Sequence, residues 1–239
     1  LPHVAVPSTM PAFLIPEWGL SYGEAGLMAS AYAIGYMLAA PVLTTLTDRL
    51  DGRRILILGS LLNTLGAVGF GFFADGMVSA MLLWALTGIG FAGSYMPGLK
   101  ALSDRLDTGE SSRSLTFYTS AFSFGVGLSF LACQLIADAF GWRWAFILTG
   151  LAPLAMTFVA WSLKPVTLAP RAGPLLDLGP ALRNRAALGY SFAYGAHCFE
   201  LYGLRTWLVA FWGFVAANGG APLGVVAVSA LVTVLAMPA

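Results

Sequence analysis

Long apolar runs separated by short polar turns give this chain its pattern. Residues 1–15 are apolar, carry Pro2, Pro7 and Pro11, and read as the end of a first helix. Residues 16–21 read as a polar turn with Trp18 at an interface. Apolar segments follow at about 23–46, 55–73, 77–99, 115–137, 144–163 and 186–215, and another begins at 223. A helix needs about 20 apolar residues to cross roughly 30 Å of hydrocarbon. Barrel strands would alternate apolar and polar residues, and runs such as Ile55–Phe73 do not. The pattern predicts an all-α polytopic membrane protein with about eight spans, the first and last incomplete.

Composition agrees: 58% of residues are apolar and 10% charged, against about 25% charged in soluble domains. The net charge of +1 comes without a basic, aromatic-interleaved cluster, so nucleic acid is not an expected partner. Cys133 and Cys198 fall inside apolar runs and read as inert buried thiols. No charged region precedes an apolar core, so no signal peptide is read.

Charge decides the orientation. The loops after spans two, four and six hold Arg49, Arg53, Arg54, Lys100, Arg105, Arg113, Lys164, Arg171, Arg183 and Arg185, and the opposite loops hold Arg143. The positive-inside rule then places the first set in the cytoplasm of a multi-pass cell-membrane protein, a bacterial inner membrane being the expected setting. Residues 164–185, rich in proline and basic side chains, read as a cytoplasmic linker between a six-helix bundle (1–163) and the start of a second bundle (186–239).

An offset of 90 residues lays Ser30-Ala31-Tyr32-Ala33-Ile34-Gly35 over Ser120-Ala121-Phe122-Ser123-Phe124-Gly125, Asp48 over Asp138 and Arg53 over Arg143. That offset equals three spans, so the second copy crosses in the opposite sense, the plan of an inverted-topology repeat. The same offset puts Pro7 over Pro97 and Leu1 near the middle of its helix, with about a dozen residues expected before it.

The charged turn Asp48-Arg49-Leu50-Asp51-Gly52-Arg53-Arg54 resembles the signature of the major facilitator superfamily between its second and third helices, with one extra residue before the glycine and Thr44 where the first glycine would stand. Trp84-Ala85-Leu86-Thr87-Gly88-Ile89-Gly90-Phe91-Ala92 is similar to the family's fourth-helix pattern, with Trp84 replacing an arginine, which puts a proton-relay role there in doubt. Gly141-Trp142-Arg143-Trp144-Ala145-Phe146 resembles its entry into helix six, and the antiporter pattern of helix five is absent. The resemblance implies a bundle of inverted three-helix repeats, most of helix one through part of helix eight. It also implies a cytoplasmic gate of Asp48, Arg49, Gly52, Arg53 and Arg54. In that gate Asp48 caps a helix of the other half, and Arg49 or Arg53 pairs with an acid, Asp104 being the candidate. A solvated loop is the alternative.

Ionisable groups inside spans are costly and usually functional. The seventh span has His197, Glu200 and Arg205, with Glu200 roughly 21 Å along from Ala186. His197 and Glu200 share a face and suit a proton pathway; Arg205 suits an oxyanion. An internal Glu–Arg pair is the alternative reading. His3, Tyr95 and Tyr118 complete the substrate or proton pathway candidates. Gly88 and Gly90 read as helix packing, and no metal cluster, cofactor loop or nucleophile–base arrangement points to an enzyme. The expected function is a secondary active transporter of a small solute, an organic or inorganic anion by preference, working by alternating access with protons as candidate coupling ion. The alternative is a transport-inactive scaffold or assembly subunit of a larger complex.

Overall fold

Three prolines shape the first helix. Pro7, Pro11 and Pro16 supply no N–H to the helical ladder, and residues 2–18 form a helix in pieces: a 3₁₀ turn at Pro2–Val4, α over Ala5–Thr9, π over Met10–Leu14 and α over Ile15–Trp18. The computed structural model describes residues 2–106, 111–168, 174–176, 179–220, 223–224, 226–228 and 230–231. The turn expected at 16–21 shrinks to Gly19, Leu20 and Ser21, because Pro16 tolerates the first turn of a helix and Gly19 closes it at φ 61°.

The second span, Tyr22–Leu46, starts on a capping box: Ser21 Oγ accepts from the Glu24 N–H and Glu24 accepts from the Ser21 N–H. The third is Gly52–Phe73, capped by Asp51. The fourth runs over Met77–Ser103 and is interrupted at Gly93 and Ser94, where Pro97 leaves the Gly93 carbonyl without its usual donor. The fifth, Ser111–Phe140, and the sixth, Trp142–Ser162, are separated by Gly141 alone at φ 88°. The turn expected over 138–143 is therefore one residue long, and Asp138 still lies on the fifth helix, accepting from Gln134 Nε2 at 3.2 Å. The seventh helix is Arg185–Ala217. The expected eighth span falls largely outside the described residues, as does Arg171 of the linker. No strand occurs among the described residues.

Among the described residues, five helices, the second through sixth, are long and apolar enough to cross a membrane. Residues 2–18 are too few. The seventh is long enough, but Tyr190, Ser191, Tyr194, His197, Glu200, Tyr202 and Arg205 dilute its hydropathy.

The third span packs most closely against the sixth and fourth, and the second against the fourth. An aromatic core sits where these meet: Phe70 stacks on Phe146 at 4.0 Å, and Trp84, 1% exposed, meets both at 6.0 and 5.8 Å. Trp84 thus fills with an indole the position where the family resemblance places an arginine.

The repeat reappears as a reciprocal exchange across the third and sixth spans. Arg53, at the start of the third, donates to the carbonyls of Leu163 (2.6 Å) and Trp161 (3.5 Å) at the end of the sixth. Arg143, at the start of the sixth, donates to Gly71 O (3.1 Å) near the end of the third. Donors and acceptors (53 and 143; 71 and 161) both keep the offset of 90. Each guanidinium meets the negative end of the other helix.

Two glycines set the spacing of the fourth span. A Cβ on Gly88 would lie 2.1 Å from Tyr32 O in the second span, and one on Gly90 would lie 2.1 Å from Asn63 N in the third. Only bare backbone fits between the neighbours. Gly88→Ala is therefore expected to lower the melting midpoint in detergent, overpacking of this kind typically costing about 1–3 kcal/mol. Gly125→Ala, where an added Cβ meets nothing within 4 Å, is expected to leave it unchanged or higher.

Candidate functional site

The second and seventh spans do not close against each other along their length. Between them lies a cavity of about 690 Å³ whose lining includes His3 and Pro7 of the first helix and Trp84 of the fourth. The second span contributes small residues to it, Gly26, Ala29 and Ala33 among them. The seventh contributes Cys198, Tyr202, Arg205 and Trp207.

Three polar atoms on this lining are buried without a hydrogen-bond partner: His3 Nε2, Tyr32 Oη and Arg205 Nη1. Each is held by its surroundings. The His3 ring lies near-parallel to Phe91 (5.9 Å) and Phe122 (6.0 Å), and the Tyr32 ring lies 5.1 Å from Trp84 and 5.9 Å from Phe91. Arg205 shares the cavity wall with both His3 and Tyr202. Leaving a buried donor unpaired costs about 1–3 kcal/mol, more for a charged group. Of the three, the Arg205 guanidinium can only donate, while the Tyr32 hydroxyl and the His3 imidazole can each donate or accept, so the set can meet an anion with Arg205 at its centre.

Of the residues read from sequence, His3 and Arg205 come together here. His197 and Glu200 do not: both side chains are exposed and stay off the cavity wall. Glu200 is thus neither buried nor paired with Arg205, since a side chain five residues further along an α-helix projects more than a full turn away. Tyr95 and Tyr118 also lie off this cavity. Tyr118 Oη donates to Tyr95 O at 2.7 Å, the two rings are 5.8 Å apart, and Tyr95 packs on Phe122 at 4.9 Å, behind the rings that hold His3. Cys133 is buried as expected, whereas Cys198 is half-buried on the cavity wall.

The charged turn is organised by Asp51. Its carboxylate accepts from the N–H groups of Arg53 (3.0 Å) and Val166 (2.9 Å) and from Arg105 Nη2 (2.9 and 2.8 Å). Arg105 also donates to Ala101 O (2.7 Å) and Lys164 O (2.7 Å from Nη2). One side chain therefore joins the start of the third span, the end of the fourth and the chain beyond the sixth. Burial alone pushes the Asp51 carboxyl up. The donors from Val166, Arg53 and Arg105 outweigh it and hold the group below its ordinary value.

Asp104 departs from expectation. It pairs with Lys100, one turn back on its own helix, where an i, i+4 partner is within reach without help from another span. Arg53 instead turns to the carbonyls of the sixth span. Gly52 abuts the fourth span, where a Cβ would lie 3.0 Å from both Ala101 N and Pro97 O. Arg49 and Arg54 are exposed, and Asp48 borders a recess with Thr47, Lys100 and Ser103. Asp51, Arg105 and Trp207 were not singled out from sequence as site residues. The signal that existed was the extra residue before Gly52.

A family model described as Major Facilitator Superfamily matches residues 4–239. Among curated proteins, the chain is similar to a "Gallate transporter" of Pseudomonas putida, 33% identical over 80% of this chain and 42% of that protein. It is similar to "Monocarboxylate transporter 11" of Homo sapiens, 34% identical over 70% of this chain and 36% of that protein. It also resembles a "Probable sphingolipid transporter spinster homolog 1" of Arabidopsis thaliana, 24% identical over 62% of this chain and 30% of that protein. The chain spans less than half the length of these relatives.

Proposed function

Because this chain belongs to the major facilitator superfamily, we propose that it is the N-terminal bundle, linker and first part of the second bundle of a secondary carrier for a small organic acid. The observation that carries the reading is the cavity holding the unpartnered His3 Nε2 and Arg205 Nη1. A carboxylate supplies the two acceptor oxygens those donors lack, and a guanidinium binds it with matched planar geometry. The names of two relatives above 30% identity, for gallate and for monocarboxylates, support this cargo class.

In this reading the carrier works by alternating access, and the end bearing Asp48, Arg49, Arg53 and Arg54 is its cytoplasmic gate. The excess of Arg and Lys in the loops at that end supports the orientation. The proton that accompanies the acid is handled by groups the cavity leaves aside, His197 and Glu200, three residues apart and exposed on the seventh span.

The test is uptake of radiolabelled organic acids into proteoliposomes containing the full-length protein. Concentrative uptake of at least one carboxylate, driven by an inward proton gradient and collapsed by a protonophore, is the expected result. Absence of carboxylate uptake under any imposed pH gradient overturns it.

A further inference from the structure

We propose that the cavity is a slit selective for a planar aromatic monocarboxylate, with the ring lying between the second and seventh spans and the carboxylate on Arg205 and His3. The inference rests on the carboxylate reading above and adds the shape of what the carboxylate is attached to.

Two helices form the slit. A Cβ on Gly26 would lie 3.4 Å from Trp207 Cζ2, so the spans pinch together there. From that pinch the lining positions run in opposite directions along the two helices, 26, 29 and 33 on the second span and 207, 202 and 198 on the seventh. The helices therefore run antiparallel with a gap between them, which widens where Gly195 and Gly203 present no side chain and an added Cβ would meet nothing within 4 Å.

The two walls differ in chemistry. The second span offers the small residues Gly23, Gly26, Ala29 and Ala33, with Leu27, Ser30 and the Tyr32 ring beside them. The seventh offers the Phe199, Tyr202 and Trp207 rings, with Trp84 also bordering the space. Small residues opposite aromatic rings suit a flat ligand, because offset or edge-on aromatic contact adds attraction beyond the area buried. A saturated ring of the same carbon number is thicker and lacks the π-face.

Among the described residues, Arg205 is the Arg or Lys on the lining, and no Asp or Glu of them faces it. That one guanidinium suits one carboxylate, since a second would need a further cation to offset its desolvation. The remaining unpartnered atom, Tyr32 Oη, offers one more hydrogen bond to a carboxylate oxygen or a ring substituent.

The experiment is competition against tritiated benzoate bound to the purified full-length protein, read by scintillation proximity. Cyclohexanecarboxylate is expected to compete about tenfold more weakly than benzoate, the scale of a well-placed aromatic contact. Acetate and the uncharged benzamide are expected to compete more weakly still. Gly26→Leu, which fills the slit, is expected to abolish benzoate binding. Trp207→Leu, which keeps the space and removes the ring, is expected to leave benzoate and cyclohexanecarboxylate equal. Equal competition by the two acids in the unmodified protein overturns the assignment. So does failure of benzoate to bind while an aliphatic acid such as acetate raises the melting midpoint, an outcome that leaves the carboxylate reading standing. If no carboxylate shifts the midpoint, both fail together.

Discussion

Arg205→Leu is expected to weaken carboxylate binding by about ten- to a hundredfold, measured by equilibrium titration of the full-length protein. Hydrogen bonds to a charged group contribute about 1.5–3 kcal/mol, and each 1.4 kcal/mol is tenfold in affinity. The guanidinium lies half-buried, with Nη1 sealed from solvent and unpartnered in the cavity. The bound acid therefore gains a bond that the empty protein does not already make elsewhere. Arg205→Lys is expected to recover only part of the affinity, because an ammonium is a point charge and cannot grip both oxygens in one plane. His3→Gln preserves a donor and is expected to lose less than Arg205→Leu. Glu200→Gln separates binding from coupling: its carboxylate is exposed and off the cavity wall, so affinity is expected to hold while the response of uptake to a proton gradient changes. Unaltered affinity in Arg205→Leu would remove the cavity from the transport path.

The fold was largely legible in the sequence because hydrocarbon imposes a simple rule. A span must be apolar for its whole length, and the few charges must gather in turns. Helix ends were less legible, since caps are local chemistry that hydropathy does not weigh. Asp51 caps a third span that begins at Gly52, three residues before the apolar run, and Ser21 with Glu24 begins the second inside what composition reads as a polar turn. The repeat was legible as matched residues, but its physical content, the reciprocal grip of Arg53 and Arg143, needed the ends of two helices brought together.

The site was legible only in half. Arg205 and His3 stood out because charge and imidazole are rare in spans. Their meeting depends on the first helix lying beside the seventh, which no local pattern encodes. Glu200 and His197 carried the same signal as Arg205 and fall outside the cavity, because one helix has several faces and composition does not say which is covered. Trp207 and Gly26 carried no signal at all: an aromatic or small residue in a span is the default.

Asp51→Ala is expected to lower the melting midpoint of the protein more than Asp51→Asn. Either change should act most on the contact between the third span, the fourth and the chain at 164–166. Asp51 is 8% exposed, and its alanine variant leaves Arg105, whose side chain is 14% exposed, without its carboxylate. Breaking a buried pair by removing one partner costs about 3–5 kcal/mol when the survivor is stranded. Arg105 keeps the carbonyls of Ala101 and Lys164, so about 2–3 kcal/mol is the expected loss. Asparagine retains an acceptor for the N–H groups of Arg53 and Val166 and gives up the charge, and should fall between. The pH dependence follows from the same contacts. The folded carboxyl titrates below its ordinary value of about 3.9, so its stabilisation is complete above that value and is lost as the pH falls through the lower folded value. The midpoint of the unmodified protein should therefore drop on acidification below about pH 4, and that of Asp51→Asn should drop less. Identical acid profiles for the two would mean that the charge on Asp51 does not hold this end of the bundle together.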